Sequence, residues 1–206
     1  DRQQAPPLTI QPTPGDALHA RLAAQRIGMW TARLLMQLSG AALAAYLYFW
    51  LRDIDPSMHD GAKTLLFAAG LAISVTAALG LGRWSDRSGR AFRVLAWLAL
   101  VASVTLVLMA VSGAPATAKL AYVLFVSANA TFLALHASQM LTVLPDAATR
   151  ARGIGVFNLT NTAPSLIMPW IAISLVPGSG FGALFLVLAL LALLAAALLA
   201  AMPVAR

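Results

Sequence analysis

At 206 residues the chain has room for one domain, but 60% hydrophobic residues, 10% charged residues and a mean hydropathy of +0.81 exclude an ordinary soluble fold, in which about a quarter of residues are charged. The net charge of +7 comes from 14 Lys and Arg against 7 acids, all of them Asp; such an excess points to nucleic acid or to a membrane surface. The arginines stand in short gaps between apolar runs, so the membrane reading holds and nucleic acid is set aside. No cysteine is present, which removes disulfides, thiolate metal sites and cysteine nucleophiles.

The chain starts at Asp1 rather than Met, shows no signal peptide, and opens on a Pro-rich polar lead through Gly15 that reads as a linker. The expectation is a fragment or a processed product. Asp16 can cap a short helix over residues 17–27, with Leu18, Leu22 and Ala23 on one side and Arg21, Gln25 and Arg26 elsewhere. That helix lies on the membrane surface or serves as a solvated linker. Residues 1–27 are therefore expected to be a cytoplasmic linker with an amphipathic surface helix, and residues 28–206 a transmembrane domain.

A crossing of ~30 Å takes about 20 apolar residues, and segments 28–51, 62–82, 91–112, 118–144, 153–176 and 181–203 meet that length. All are expected to be helical, because hydrocarbon offers no partner to unpaired backbone groups and none of these runs alternates as a barrel strand does. The predicted fold is all-α and polytopic, with six transmembrane helices. Orientation follows from Lys and Arg: with the N-terminus inside, the cytoplasmic side collects every basic residue except Arg52, Lys63 and Lys119. Both termini are then cytoplasmic, and the loop with Asp53, Asp55 and Asp60 faces outward.

The third and sixth segments are almost wholly apolar and are expected to face lipid. The fourth and fifth carry amides and hydroxyls and are expected to face protein or water. A nearly apolar helix at every third position suggests two three-helix units, the repeat logic of secondary transporters.

Four groups of residues carry the chemistry. Arg33, Gln37, Ala44 and Tyr48 share a face of the first span, with Gln37 and Tyr48 as cavity candidates and Arg33 able to snorkel to the cytoplasmic surface. Between the second and third spans, Gly82 and Gly89 permit a sharp turn, Asp86 can accept from a helix N-terminus, and Arg87 and Arg90 can pair with carboxylate or phosphate; the alternative is a bare orientation signal. In the fourth span Asn129 and His136 nearly superimpose on one face, and His136 reads as a ligand or proton-relay group or as a locally bonded histidine. In the fifth, Asn158, Asn161, Thr162 and Ser165 form one stripe, either lining a path or bonding helices together, while Pro164 and Pro169 withhold backbone donors and are expected to bend the helix.

Gly82, Asp86, Arg87, Gly89 and Arg90 resemble, in order and spacing, the G-x-x-x-D-[RK]-x-G-[RK] motif of the major facilitator superfamily. Trp84 and Ala91 depart from it, where a small aliphatic and a second basic residue are usual. The stretch from Arg33 to Asp53 is similar to the family's seventh helix, and Pro145 to Asn158 to its loop from helix ten into helix eleven. The resemblance covers residues 16–203 and implies helices seven to twelve of a transporter, with an N-terminal six-helix half as partner in the same polypeptide or as a separate chain. It also implies that the motif latches the halves together, with Asp86 engaging a helix start in the other half.

The expected function is that of the C-terminal half of a secondary transporter, such as a symporter, in a bacterial-type inner membrane. It would move a small solute by alternating access, using Gln37, Tyr48, Asn129, His136, Asn158 and Asn161; amides and a tyrosine favour a neutral, sugar-like solute. No cofactor or metal is expected. A membrane enzyme is disfavoured because His19, His59 and His136 are scattered and no carboxylate accompanies them inside a span. The remaining alternative is a self-standing six-helix protein that transports as a homodimer or serves as a scaffold.

Overall fold

The computed structural model describes residues 14–143 and 147–202, without the side chains of residues 14–20, 60, 141–143 and 147–152. The linker over residues 1–13, the Asp16 cap, and Pro145, Asp146, Arg150 and Arg152 of the fourth-to-fifth connection fall outside what is described. Among the described residues the chain is helical, with no strand: α1 (Pro14–Ile54), α2 (Asp60–Ser88), α3 (Ala91–Val111), α4 (Pro115–Val143) and α5 (Ala147–Ala200). Each contains a stretch long and apolar enough to cross a membrane. The chain is thus all-α and suited to a multi-pass membrane protein.

Three boundaries differ from the sequence expectation. The helix expected over 17–27 is continuous with the first span, because α1 runs unbroken for 41 residues and would extend to ~61 Å at ~1.5 Å per residue, about twice a hydrocarbon core. Pro14 suits a first turn, where its missing donor is not needed. The Ala, Leu, Arg and Gln that follow are good helix formers, so nothing near residue 27 stops the helix.

The second difference lies before α3. The stretch from Gly82 was expected to turn, but α2 continues to Ser88 and the reversal is confined to Gly89, at φ 62°, and Arg90. Gly82 stays helical and serves a close approach instead, since a Cβ there would lie 3.3 Å from Leu135 of α4.

The third difference concerns the end of the chain. Five helices are assigned where six spans were expected, because α5 covers both of the last two in 54 residues. Within it Gly180 alone leaves helical dihedrals, at φ 73° and ψ 177°, a region open at low cost only to glycine. Helical dihedrals continue through Pro164 and Pro169. On the near side of Gly180, Trp30 and Arg33 of α1 bond to Val156 and Thr160, so α5 ascends alongside α1. On the far side Ser39 bonds to Leu188 and Gly28 abuts Met202, so α5 returns antiparallel to α1. The chain doubles back at Gly180.

α5 packs against α1 and α3, while α4 packs against α3, α2 and α1. α2 is the outlying element: its most apolar window is 11% buried, against 44–50% for the other four. It is held to α4 where Ser127 Oγ donates to the Gly70 carbonyl at 3.1 Å and Thr131 Oγ1 to that of Ser74 at 3.4 Å. Small residues at such a crossing let backbones approach closely enough for hydroxyls to reach across. α3 and the returning segment of α5 each bury one apolar stripe and expose another, marked by Trp97, Val101 and Val104 and by Leu186, Leu190 and Leu194. These two carry the smooth apolar faces expected of lipid contact.

Candidate functional site

α1 and α2 both lean on α4 and scarcely touch each other. The wedge between them is a cavity of about 580 Å³, floored by Tyr122, Phe125 and Asn129 of α4 and reached by Asn161 of α5. A volume in the range of about 300–1,000 Å³, mostly apolar with a few converging polar groups, is typical of small-molecule sites. Its polar lining is Gln37 from α1, Lys63 and Thr64 from α2, Tyr122 and Asn129 from α4, and Asn161 from α5.

One polar cluster ties α1 to the ascending part of α5. Gln37 Nε2 donates to Asn161 Oδ1 at 2.6 Å, and Arg33 Nη2 donates to the same oxygen at 3.3 Å. Arg33 Nε donates to Thr160 Oγ1 at 3.1 Å, and that hydroxyl donates in turn to the Phe157 carbonyl at 2.6 Å. Arg33 therefore turns sideways into the bundle rather than snorkelling to the surface. Its remaining nitrogen, Nη1, is buried without a hydrogen-bond partner among the described residues.

Asn129 sits against the backbone of α1, where a Cβ on Gly40 would meet its Nδ2 at 2.9 Å. A side chain at that position would oblige the amide to shift. Asn129 is 9% exposed, and its Oδ1 is buried with no partner among the described residues. An unpaired buried carbonyl costs about 1–3 kcal/mol, a cost that Asn129 carries just behind the cavity wall.

Of the six cavity candidates named from sequence, Gln37, Asn129 and Asn161 converge on this one space, and the others lie elsewhere. Tyr48 stands at the end of the bundle near Arg52, His59 and Lys63, its hydroxyl accepting from Arg52 at 2.9 Å. Asn158 is exposed on α5 beyond the cavity. His136 is fully buried between Phe132 and Phe157, its Nε2–H donating to the Met29 carbonyl at 3.0 Å. Seven residues is about two turns, or ~10.5 Å, which carries His136 along the same face but past the end of the cavity.

Lys63 was missed as a site residue. The sequence counted it only as an outward-side charge at the start of the second span. α2 starts at Asp60, which puts Lys63 on the first turn facing the cavity, with its ammonium 5.6 Å from the Tyr48 ring centroid. Arg33 had a visible signal: it stands at i−4 from Gln37 on the face that meets the polar stretch of α5.

The stripe on α5 is only partly absorbed. Asn161 bonds to α1, whereas Asn158, Thr162 and Ser165 are exposed, and the two hydroxyls bond back to carbonyls of their own helix. Asp86, Arg87 and Arg90 are exposed at the opposite end of α2 from Lys63 and form no ion pair among the described residues. Asp86 lies in the last turn of α2, where a carboxylate meets the negative end of the helix dipole and is disfavoured by about 0.3–1 kcal/mol. No cluster of three metal-ligating side chains occurs among the described residues. No family model matches the chain, and no curated protein matches it.

Proposed function

We propose that the chain is the C-terminal half of a secondary transporter of the major facilitator type, which binds a small polar solute and releases it on the other side of the membrane without covalent chemistry. The observation that carries this reading is the cavity in which Gln37, Asn129 and Asn161 converge from α1, α4 and α5. Sites built at mid-membrane from facing helices of different repeats are the pattern of such transporters. In this reading the doubling back at Gly180 makes six crossings from five assigned helices, both termini lie on the cytoplasmic side of an inner membrane, and the basic end of α2 faces the cytoplasm.

Two features support a partner half. Asn158, Thr162 and Ser165 are exposed within an apolar segment, and amides and hydroxyls in a membrane span normally face protein or a water-filled cavity. Asp86 is held in an unfavourable helix turn with no described partner, as suits a carboxylate that engages a helix start elsewhere. The partner is then the N-terminal six-helix half, which covers α2 and the ascending part of α5.

Solute counterflow in proteoliposomes, with the full-length protein, tests the reading. It predicts saturable exchange of a small polar solute, reduced at least tenfold by Asn129→Leu with the protein still folded. Exchange that is unaffected by Asn129→Leu and Gln37→Ala would overturn the assignment of the site.

A further inference from the structure

The charges around the cavity are of one sign. Lys63 is the ionised side chain in its wall, and among the described residues neither Asp nor Glu lines it. Arg33 stands one hydrogen bond behind the wall, sharing Asn161 Oδ1 with Gln37, and keeps Nη1 buried and unpartnered. The described ion pair of the molecule, Asp55 with Lys119 at 2.8 Å, involves neither of these cations. Among the described residues Lys63 lies over the Tyr48 ring, 5.6 Å from its centroid.

An ammonium in a mostly apolar cavity wall, with no carboxylate beside it among the described lining residues, favours an anion over a neutral or cationic occupant. The neutral part of the wall has a complementary demand. Gln37, Thr64, Tyr122, Asn129 and Asn161 supply amide and hydroxyl groups to the rest of that wall, which suit the hydroxyl or N–H groups of a polar occupant.

Building on the proposed transport site, we infer that the cavity takes an organic anion: a small solute whose carboxylate is met by Lys63 and whose hydroxyl or N–H groups are met by the amides and hydroxyls of the wall. This departs from the neutral solute expected from the amides alone, and the reason is Lys63. A neutral isostere keeps the bonds to the amides but forgoes the charge, and a cation is repelled.

The test uses a matched pair of probes, glucuronate and glucose, which share a ring and differ by one carboxylate. Binding to the purified full-length protein is read as the rise of its thermal midpoint with probe concentration. Glucuronate is expected to bind at least tenfold more tightly than glucose, with the preference lost in Lys63→Met and retained in Lys63→Arg, which keeps the charge. Equal affinities, a preference for glucose, a preference that survives Lys63→Met, or no shift with either probe overturns the inference. Counterflow run in parallel separates it from the transport reading. Glucuronate binding without any exchange sinks transport and leaves the anion site standing, whereas glucose exchange that glucuronate does not inhibit sinks the anion site and leaves transport standing.

Discussion

Gln37 and Asn161, 124 residues apart, are joined by a 2.6 Å hydrogen bond from Nε2 to Oδ1, and through it α1 and α5 share a wall of the cavity. The same oxygen accepts from Arg33. One amide thus holds a cation and a cavity-lining glutamine in place, and much of the account turns on it.

Asn161→Ala removes the acceptor for both partners. Interhelical bonds in membrane proteins average about 0.6 kcal/mol, with a maximum near 1.7 kcal/mol, so the loss of stability is expected in that range. Solute affinity is expected to fall at least tenfold, because Gln37 and Arg33 are no longer oriented. Thermal unfolding with and without solute measures both; an unchanged affinity would place Asn161 outside the site.

The crossing of α2 and α4 gives a steric prediction. A Cβ on Gly70 would lie 2.7 Å from Cβ and Cγ1 of Val126 and 3.2 Å from the Val123 carbonyl oxygen, and a backbone oxygen cannot rotate aside. Gly70→Ala is expected to destabilise by about 1–3 kcal/mol, the usual cost of overpacking. Gly80→Ala, on the same helix with nothing within 4 Å, is expected to be neutral or to stabilise by up to about 1 kcal/mol. Equal effects of the two changes would contradict the crossing.

At the other end of the bundle from the arginine cluster, Asp55 ties the α1–α2 connection to the start of α4. Its carboxyl is held below the usual carboxylate range, chiefly by the hydrogen bond from Lys119 and then by that from Ser57. A lowered folded-state value means that the contribution to stability is present above the unfolded carboxylate value of about 3.9 and is lost as pH falls through the lower folded value. The thermal midpoint should therefore decline in acid below about pH 4, and Asp55→Asn should remove part of that decline. An acid limb identical in Asp55→Asn and wild type would show that the pair does not contribute.

Asp86 is exposed and makes no described ion pair, so Asp86→Asn should leave insertion and thermal stability unchanged while slowing transport at least tenfold. Normal transport by this variant would sink the latch and leave Gly89 and its arginines as a topology signal.

The presence of membrane-length apolar helices was legible because about 20 apolar residues are needed per crossing, while their ends were not. That Gln37, Asn129 and Asn161 line one cavity follows from a second rule: amides inside apolar runs need partners. Relations between helices were not. His136 shares a face with Asn129, and only the length of the cavity shows that it falls outside. Lys63 counted only as an orientation charge, and its place in the cavity wall follows from how α1 and α2 lean on α4. Gly82 reads as a breaker in isolation, yet lies inside α2, where a Cβ would stand 3.3 Å from Leu135. α5 keeps helical dihedrals through Pro164 and Pro169 and leaves them at Gly180, a placement that a list of prolines does not contain.

The central claim is that Asn129 faces a site opened alternately to the two sides of the membrane, and the absence of cysteine from the chain allows a direct test. A single cysteine introduced as Asn129→Cys, in full-length protein free of other reactive thiols, is treated with a membrane-impermeant thiol reagent from the outside of intact cells and, separately, from the cytoplasmic side of inverted vesicles. The account predicts labelling from both sides, with solute slowing both reactions. Labelling from one side alone, or at rates that solute does not change, would contradict it.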